Sequence, residues 1–234
     1  MISIVSPTMW KYPPYLDFIK YVVRMDVIKE VIIINNAPEN TPDNDILNHE
    51  KIKMFSFGRN IFINPAWNFG IQASESDIVC ILNDDIHFDL RLFYKVEEFY
   101  QPDMGALGLN GGIVEYNQTP VTNGMIHFEP FWRQNCHGFG ELMFIRKSTW
   151  CDIPPGLDLG FGDNFIFDHY FFSGYQNYFI TDLFHYHAGS TTVGQLNSDP
   201  KIMNDLYLRE QALYETIIKP KLVDRTFYLT GSRI

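Results

Sequence analysis

Two adjacent carboxylates follow a short apolar segment of the sequence. The stretch CILNDDIHFD begins at Cys80, and its apolar residues lead directly into Asn83, Asp84 and Asp85. Neighbouring carboxylates repel each other unless water, a cation or a basic side chain compensates their charge. Hard divalent cations prefer oxygen ligands, and an ion held in such a loop can bridge a diphosphate and neutralise a leaving group. The motif alone also fits a solvated turn with an Asx hydrogen bond.

The segments around this motif alternate between strand-like and helix-like patterns. Continuous apolar runs predict buried strands, and apolar residues at helical spacing predict helices between them. This alternation predicts an α/β fold with a central, mostly parallel sheet flanked by helices. The predicted strands are Ile2–Thr8, Val31–Asn35, Ile52–Phe57 and Asp77–Leu82, and the predicted helices are Tyr15–Glu30 and Pro65–Ser76.

Ligands of such a sheet bind beyond the carboxyl ends of its strands. Asn83, Asp84 and Asp85 follow one predicted strand, and Asn35 and Asn36 stand at the end of another. We therefore predict that the two carboxylates point into a ligand crevice at this edge of the sheet.

The second half of the sequence is less regular. The strand-like segment Asn177–Ser190 places His185 and His187 on one face, because alternate residues of a strand share a face. No internal repeat or linker stands out, so we predict a single domain over residues 1–234. The other predicted elements are the helices Arg91–Tyr100, Phe161–Tyr175 and Ile202–Lys219, the last ending before Pro220, the strand Met104–Tyr116, and a strand that runs into a helix start over Glu141–Trp150.

The composition excludes several classes of protein. The formal net charge of −10 weighs against broad electrostatic binding to nucleic acid or anionic membranes. No apolar run approaches the roughly 20 residues that span a bilayer, and the N-terminus reads as a strand and not as a signal peptide. The three cysteines, Cys80, Cys136 and Cys151, form no CxxC pair. We therefore predict reduced thiols and a cytoplasmic protein.

Three stretches of the first half carry family motifs: SPT after the first strand, VIIINNAPEN at the second, and NPAWNFGIQASESDIVCILNDDI. Together they resemble the nucleotide-sugar-binding half of inverting family 2 glycosyltransferases with the GT-A fold. In this resemblance, Asn68, Gly70, Ile71 and Ala73 match the helix before the fourth strand. Asp85 takes the most invariant position of the acidic motif that ends that strand.

Two stretches of the second half extend the resemblance over residues 2–192. GFGELMFIRKSTW resembles the strand that carries acceptor-site residues, and LDLGFGDNFIFDHYFFSGYQNYFITDLFHYHAGS resembles the catalytic stretch. Asp163 takes the position of the catalytic base. His187, followed by Gly189 and Ser190, takes the position of a metal ligand, with His185 as the alternative.

The resemblance implies a metal-dependent enzyme that moves a sugar from a nucleoside diphosphate sugar, preferably a UDP-sugar, to an acceptor hydroxyl with inversion. Asp85 and His187 would hold Mn²⁺ or Mg²⁺ on the diphosphate, and Asp163 would take the proton of the acceptor. Residues 1–100 would bind the nucleotide sugar, 101–195 would form the acceptor and catalytic half, and 196–234 would form a C-terminal helix and tail. The implied substrate-binding residues are Pro7, Thr8, Asn35, Asn36, Asn68, Asn83 and Asp84.

The chain departs from the family pattern at three places. Asn35 replaces the aspartate that contacts the nucleobase, although an amide can still donate to and accept from a base edge. Gly162 stands where the family has glutamate before the base, and the aromatic run Tyr170–Phe172 replaces a usual arginine. These changes leave the nucleotide and the acceptor open. A saccharide, a protein side chain or a hydroxylated DNA base are compatible acceptors, and the net charge weighs against DNA.

Other interpretations remain at this point. A non-catalytic nucleotide-sugar or carbohydrate-binding module on the same fold would keep Asp85 and dispense with the base. Asp163 itself also fits the N-cap of a helix that starts near it. Dehydrogenases that use nicotinamide need a G-x-G-x-x-G motif after the first strand, whereas this chain reads VSPTMW there.

Overall fold

The computed structural model describes residues 1–109, 126–131, 140–188 and 200–230. Of the residues singled out above, Cys136, Gly189 and Ser190 lie outside these ranges, as does the predicted strand Met104–Tyr116 beyond Leu109.

The first half of the chain forms a parallel sheet, as predicted. Its strands β1, β2, β3 and β4 lie in the order β3-β2-β1-β4. Every residue of β1 and β4 is buried, because helices cover both faces of this part of the sheet. The strand bounds are Ile2–Thr8 for β1, Ile28–Asn35 for β2, Ile52–Ser56 for β3 and Ile78–Leu82 for β4.

The second half extends the same sheet to eight strands in the order β3-β2-β1-β4-β8-β6-β9-β7. Strand β8 runs antiparallel to both of its neighbours, so its beginning lies beside the carboxyl end of β4. A separate two-stranded sheet pairs β5 with β10. The bounds are Ile86–Phe88 for β5, Met104–Leu109 for β6, His127–Phe131 for β7, Leu142–Arg146 for β8, Gln176–Thr181 for β9 and His185–His187 for β10.

Helices lie on both faces of the sheet and enclose two apolar cores. On one face, α1 (Tyr15–Val22) and α3 (Arg91–Phe99) pack against the side chains of Ile2, Ile4 and their neighbours. On the other, α2 (Ile63–Ala73) and α4 (Gly162–Phe172) pack against Val5, Ile32 and their neighbours. The α/β prediction, a large central sheet flanked by helices, is therefore confirmed.

The predicted C-terminal helix does not end before Pro220. Instead, α5 (Pro200–Leu213) passes through a π-helical turn at Tyr214–Ile218 into α6 (Lys219–Thr230), which packs on α4. Pro220 therefore lies inside a continuous helix, as the second residue of α6, and its missing N–H cannot donate to the preceding turn. The wider π-helical turn before Pro220 makes room for the proline, so the helix continues past the residue at which the sequence pattern predicts its end.

Two other predicted elements have different bounds. The predicted helix Tyr15–Glu30 ends at Val22, and β2 begins at Ile28, because Ile28 pairs with Ile2 in the sheet. The predicted strand Asn177–Ser190 is divided into β9 and β10 at Asp182, whose φ of 56° lies in the left-handed region and turns the chain.

Gly70 of the helix motif brings α2 close to the sheet. A Cβ atom added there would lie 2.2 Å from Cγ1 of Val5, which is fully buried in β1. Only glycine permits this approach, and the approach brings α2 against the strand that ends in Pro7 and Thr8.

Candidate active site

Three strand ends meet at the carboxyl edge of the parallel sheet. The hydroxyl Oγ1 of Thr8, at the end of β1, donates a hydrogen bond of 2.5 Å to Oδ2 of Asp84, which follows β4. The backbone N–H of Asn36, just beyond β2, donates to the carbonyl oxygen of Thr8 over 2.9 Å. The structure thus brings Thr8, Asn36 and Asp84 together, as the alternating pattern of elements predicted.

Asp84 is a buried carboxylate with perturbed acidity. Burial raises the pKa of Asp84 to about 6, the hydrogen bond from Thr8 opposes this rise, and the negative charge of Asp85 adds to it. Burial therefore disfavours the charged form of Asp84 more than the neighbouring carboxylate does.

Asp85 pairs with His187 across the small sheet. Oδ1 of Asp85 lies 2.9 Å from Nε2 of His187, and both side chains are largely buried, at 5% and 13% exposure. The register of β5 and β10 sets this contact, because His187 lies opposite Ile86 and the N–H of Ala188 donates to the carbonyl oxygen of Asp85. The structure therefore brings together the two residues that the sequence motifs placed more than a hundred positions apart.

A second carboxylate holds the other side of the imidazole. Nδ1 of His187 lies 3.1 Å from Oε1 of Glu141, the residue just before β8. Burial acts to lower the pKa of His187, but its hydrogen bonds with Asp85 and Glu141 and the charges of these two residues outweigh burial and raise the pKa to about 10. Without an ion, the ring is therefore an imidazolium that donates to both carboxylates.

The spacing of Asp85 and His187 fits a shared divalent ion. Adjacent ligands of an octahedral ion at about 2.1 Å are separated by about 3 Å, which agrees with the observed 2.9 Å between Oδ1 and Nε2. Within residues 1–109, 126–131, 140–188 and 200–230, no group of three or more His, Cys, Asp or Glu side chains is arranged to hold a metal. An ion held by Asp85 and His187 alone would leave its other positions to water or phosphate oxygens.

Asp163 lies in the first turn of α4. Its Oδ1 accepts from the N–H of Asn164 over 2.9 Å, and its Oδ2 accepts from the N–H of Gly140 over 3.2 Å. The N-cap of α4 is Phe161, so Asp163 does not occupy the cap position. Because Gly140 precedes Glu141, consecutive residues contact the predicted base and the predicted histidine ligand.

The structure explains why glycine stands before Asp163. A Cβ atom at Gly162 would lie 2.1 Å from Oδ1 of Asn64. Asn64 cannot move aside easily, because it is buried and its Nδ2 donates to the carbonyl oxygens of Leu157 and Gly160. The glutamate of the family pattern has no room at this position.

The side chains of Asn35 and Asn36 are engaged with neighbouring loops. Oδ1 of Asn35 accepts from Nε1 of Trp10 over 3.0 Å, and its Nδ2 donates to Oγ1 of Thr41 over 2.7 Å. Oδ1 of Asn36 accepts from the N–H of Ile61 over 3.1 Å. These bonds fix the amide orientation of Asn35 at the carboxyl end of β2.

The other predicted substrate-binding residues lie in different settings. Asn83 follows β4, and its N–H donates to the carbonyl oxygen of Glu141 over 3.0 Å. Pro7 is buried within β1, opposite Ile34 of β2. Asn68 points toward the segment after β8, where its amide exchanges two hydrogen bonds of 2.9 Å with the backbone of Ile153. His185, the alternative metal ligand, has its Nδ1 3.2 Å from the carbonyl oxygen of Leu183.

Three ring side chains form a rim beside Asp85. The hydroxyl of Tyr12 lies 2.8 Å from Nε2 of His87, and His87 faces Tyr186 across the small sheet. Burial, followed by the charges of Tyr186 and Asp85, raises the pKa of Tyr12. This rim was not predicted from the sequence, because it combines three separate segments.

Sequence comparisons identify no relative. No protein-family model matches the chain, and no curated protein matches it in sequence. Within the described residues, no helix combines the length and apolarity needed to cross a bilayer.

Solved structures do share the fold. Residues 1–349 of TarS from S. aureus match 98% of this chain and 72% of their own, with a TM-score of 0.59 and 12% identity. The Pyrobaculum calidifontis mannosyltransferase PcManGT, solved with GDP-Man and Mn²⁺, matches 99% of this chain and 76% of its own, with a TM-score of 0.56 and 14% identity. GalNAc-T7, solved with UDP, GalNAc and Mn²⁺, matches 80% of this chain and 43% of its own, with a TM-score of 0.51 and 11% identity.

These similarities define the class of fold. The chain has the GT-A glycosyltransferase fold, and the resemblance inferred from its motifs is confirmed at that level. At 11–14% identity, the comparisons concern the architecture and do not assign roles to individual residues.

Proposed function

We propose that this chain is a metal-dependent glycosyltransferase that moves a sugar from a nucleoside diphosphate sugar to an acceptor hydroxyl, with inversion at the anomeric carbon. The observation that carries the proposal is the contact of 2.9 Å between Asp85 and His187 at the carboxyl edge of the sheet. The contacts of Gly140 with Asp163 and of Glu141 with His187 support it, because they connect a carboxylate base to the same site.

Asp85 and His187 are the residues that would hold Mn²⁺ or Mg²⁺. The ion, when bound, neutralises the negative charge that builds up on the departing diphosphate. Thr8, Asn35 and Asn36 line the donor side, together with Asn83 and Asp84. Substrate binding by Pro7 and Asn68 stays a prediction. Pro7 is buried within β1, and the amide of Asn68 is bonded to the backbone of Ile153.

Asp163 acts on the acceptor. Its carboxylate takes the proton of the acceptor hydroxyl while the oxygen forms a bond to the anomeric carbon from the face opposite the diphosphate. The bond between that carbon and the diphosphate oxygen breaks, and the nucleoside diphosphate leaves with the bonding electrons. The backbone N–H groups of Gly140 and Asn164 hold the carboxylate in a single orientation, which favours catalysis because the base is already aimed before the acceptor binds.

The donor and acceptor are proposed at different levels of detail. UDP-sugars are our preferred donors, and TarS and GalNAc-T7, which share the fold, have been solved with UDP-GlcNAc or with UDP. PcManGT binds GDP-Man, so the fold accepts either nucleotide. A saccharide or a protein hydroxyl is a suitable acceptor, and the net charge of −10 weighs against a hydroxylated DNA base. The cytoplasmic location and the division into donor and acceptor halves stay predictions.

A screen of nucleotide sugars with and without Mn²⁺ tests the proposal. We expect Mn²⁺-dependent hydrolysis or transfer by the wild-type chain, loss of this activity in Asp85→Ala, and normal activity in the control Glu98→Ala, which alters an exposed residue of α3. Hydrolysis that persists in EDTA and in Asp85→Ala would contradict the mechanism. Tight binding of a nucleotide sugar without turnover by any acceptor would indicate a binding module on the same fold.

A further inference from the structure

The imidazole of His187 lies between two carboxylates, and the proposed function uses only one of them. Nε2 faces Asp85 at 2.9 Å, and Nδ1 faces Glu141 at 3.1 Å. Glu141 is partly shielded, with 18% of its side chain exposed. The sequence pattern predicts Glu141 at the start of a strand and gives no signal of a role at the site.

The backbone holds Glu141 in place independently of its side chain. The carbonyl oxygen of Glu141 accepts from the N–H of Asn83, and the next residue, Leu142, pairs with Leu82 at the end of β4. Its position relative to the acidic motif is therefore set by the antiparallel pairing of β4 and β8. On the other side of the imidazole, the N–H of Ala188 donates to the carbonyl oxygen of Asp85 and holds the backbone of Asp85 beside β10.

A histidine binds a metal ion through one neutral nitrogen, and the other nitrogen then carries the proton. A carboxylate that accepts this proton in a hydrogen bond selects the tautomer, orients the ring and makes the ligand nitrogen a better donor. Glu141 meets this requirement, because Oε1 lies at hydrogen-bond distance from the nitrogen that faces away from Asp85.

We propose that Glu141 is a positioning residue that accepts the Nδ1–H of His187 and so presents Nε2, together with Asp85, to the divalent ion. This inference rests on the proposed function, since it assigns a role around the same metal site. It adds a carboxylate that does not contact the ion, and it makes Gly140–Glu141 the segment that orients both His187 and Asp163.

Direct measurement of Mn²⁺ binding tests the inference without relying on turnover. Free Mn²⁺ is measured by electron paramagnetic resonance during titration of the wild type, Glu141→Ala, Glu141→Gln, Asp85→Ala and the control Glu98→Ala, with and without UDP. Loss of an outer-shell carboxylate typically weakens metal binding about 10- to 100-fold, and we expect a loss of this size in Glu141→Ala. Glu141→Gln should recover part of the affinity, because its amide oxygen accepts the same N–H.

A spectroscopic readout separates positioning from a merely structural role. With ¹⁵N-labelled histidine and Zn²⁺ as a diamagnetic probe, the wild type should show His187 protonated at Nδ1 and metal-bound at Nε2, with His187→Asn used to assign the signal. In Glu141→Ala we expect this preference for one tautomer to weaken.

The outcomes distinguish this inference from the proposed function. Wild-type affinity and an unchanged tautomer in both Glu141 variants, with binding lost in Asp85→Ala, would overturn the role of Glu141 and leave the metal site intact. Equal affinities of the wild type and Asp85→Ala would overturn the metal site itself, and the inference with it. If Glu141→Ala does not fold, the Glu141→Gln variant decides. A Glu141→Gln variant that binds Mn²⁺ with wild-type affinity while His187 occupies both tautomers would contradict positioning through Nδ1.

Discussion

Thr8 and Asp84 join the ends of two neighbouring parallel strands through one side-chain hydrogen bond of 2.5 Å. Thr8 is the last residue of β1, and Asp84 lies two residues beyond β4. The threonine hydroxyl is the donor, so it stabilises a carboxylate that burial and the adjacent Asp85 make less acidic. This hydrogen bond therefore offsets part of the free-energy cost of holding two neighbouring carboxylates at the end of β4.

The raised pKa of Asp84 predicts a pH-dependent stability. The folded-state pKa of about 6 exceeds the usual 3.8, so folding favours the protonated carboxyl. The contribution of Asp84 to stability is therefore full below about pH 4 and is lost as the pH rises through 6. In EDTA, Asp84→Asn should gain stability relative to the wild type over this interval, approaching about 3 kcal/mol at pH 7.

Urea unfolding at pH 4, 5, 6 and 7 measures this difference. The exposed variant Asp205→Asn is the matched control, and its difference from the wild type should stay nearly constant over the same pH range. A difference between Asp84→Asn and the wild type that does not change with pH would show that Asp84 titrates normally.

Asp163→Asn should abolish transfer and leave the metal site unchanged. The amide can still accept one of the two backbone N–H bonds but cannot take a proton from the acceptor, so we expect the kcat of transfer to fall about 10²- to 10⁴-fold. Binding of Mn²⁺ and of the nucleotide should remain within about twofold of the wild type. Steady-state transfer assays and Mn²⁺ titration check the two halves of this prediction, and a variant with near-normal kcat would exclude Asp163 as the base.

Glu210 should be a major determinant of stability. This glutamate of α5 is fully buried, and its carboxylate accepts from the successive N–H groups of Asp158, Leu159 and Gly160. Glu210→Ala leaves these donors without their partner, and hydrogen bonds to a charged group contribute about 1.5–3 kcal/mol each. We expect a loss of at least about 3 kcal/mol in the free energy of unfolding, together with lower kcat, because the loop leads into the turn of Asp163.

Glu215→Ala serves as the control for this variant. Glu215 lies in the same C-terminal region, is exposed and pairs only with Lys219 among the contacts observed for it, so its removal should change stability by less than about 1 kcal/mol. Similar stabilities of the two variants, measured by urea unfolding, would argue against a structural role for the Glu210 carboxylate.

Gly70→Ala should destabilise the protein although alanine favours helices. The added methyl group would lie 2.2 Å from Cγ1 of Val5, and relieving that overlap should cost about 1–3 kcal/mol net. Gly140→Ala is the matched comparison, because its new Cβ would meet its nearest neighbour, Trp67, at an ordinary 3.6 Å. Thermal unfolding of both variants tests the pair, and equal melting temperatures would mean that α2 shifts at little cost.

Much of the carboxyl edge of the parallel sheet could be predicted from the sequence. Buried apolar strands that end at Thr8, at Asn35 and just before Asp84 favour a parallel sheet, and parallel strands bring their ends to one edge. Gly174, whose φ of 86° lies in the left-handed region, follows Ser173, the C-cap of α4, as is common after a helix. Local patterns predict these features because the apolar residues of each strand or helix indicate which positions are buried, and its flanking residues indicate where it ends.

The contact between Glu141 and His187 could not be predicted in this way. It depends on the antiparallel position of β8 between β4 and β6, which no local pattern encodes. The continuation of the helix through Pro220 was missed for a related reason, since a π-helical turn has no reliable sequence signal. Strand pairing between distant segments and a π-helical turn therefore determine two features that the local hydrophobic periodicity does not encode.

The succession of Gly140 and Glu141 has a consequence for insertions and deletions. Gly140 and Glu141 are consecutive residues of the turn that leads into β8, so inserting one amino acid between them would displace either the glutamate from the imidazole or the glycine amide from Asp163. Lengthening the chain farther upstream would leave this dipeptide intact. Insertions that preserve both contacts should therefore fall outside positions 140 and 141.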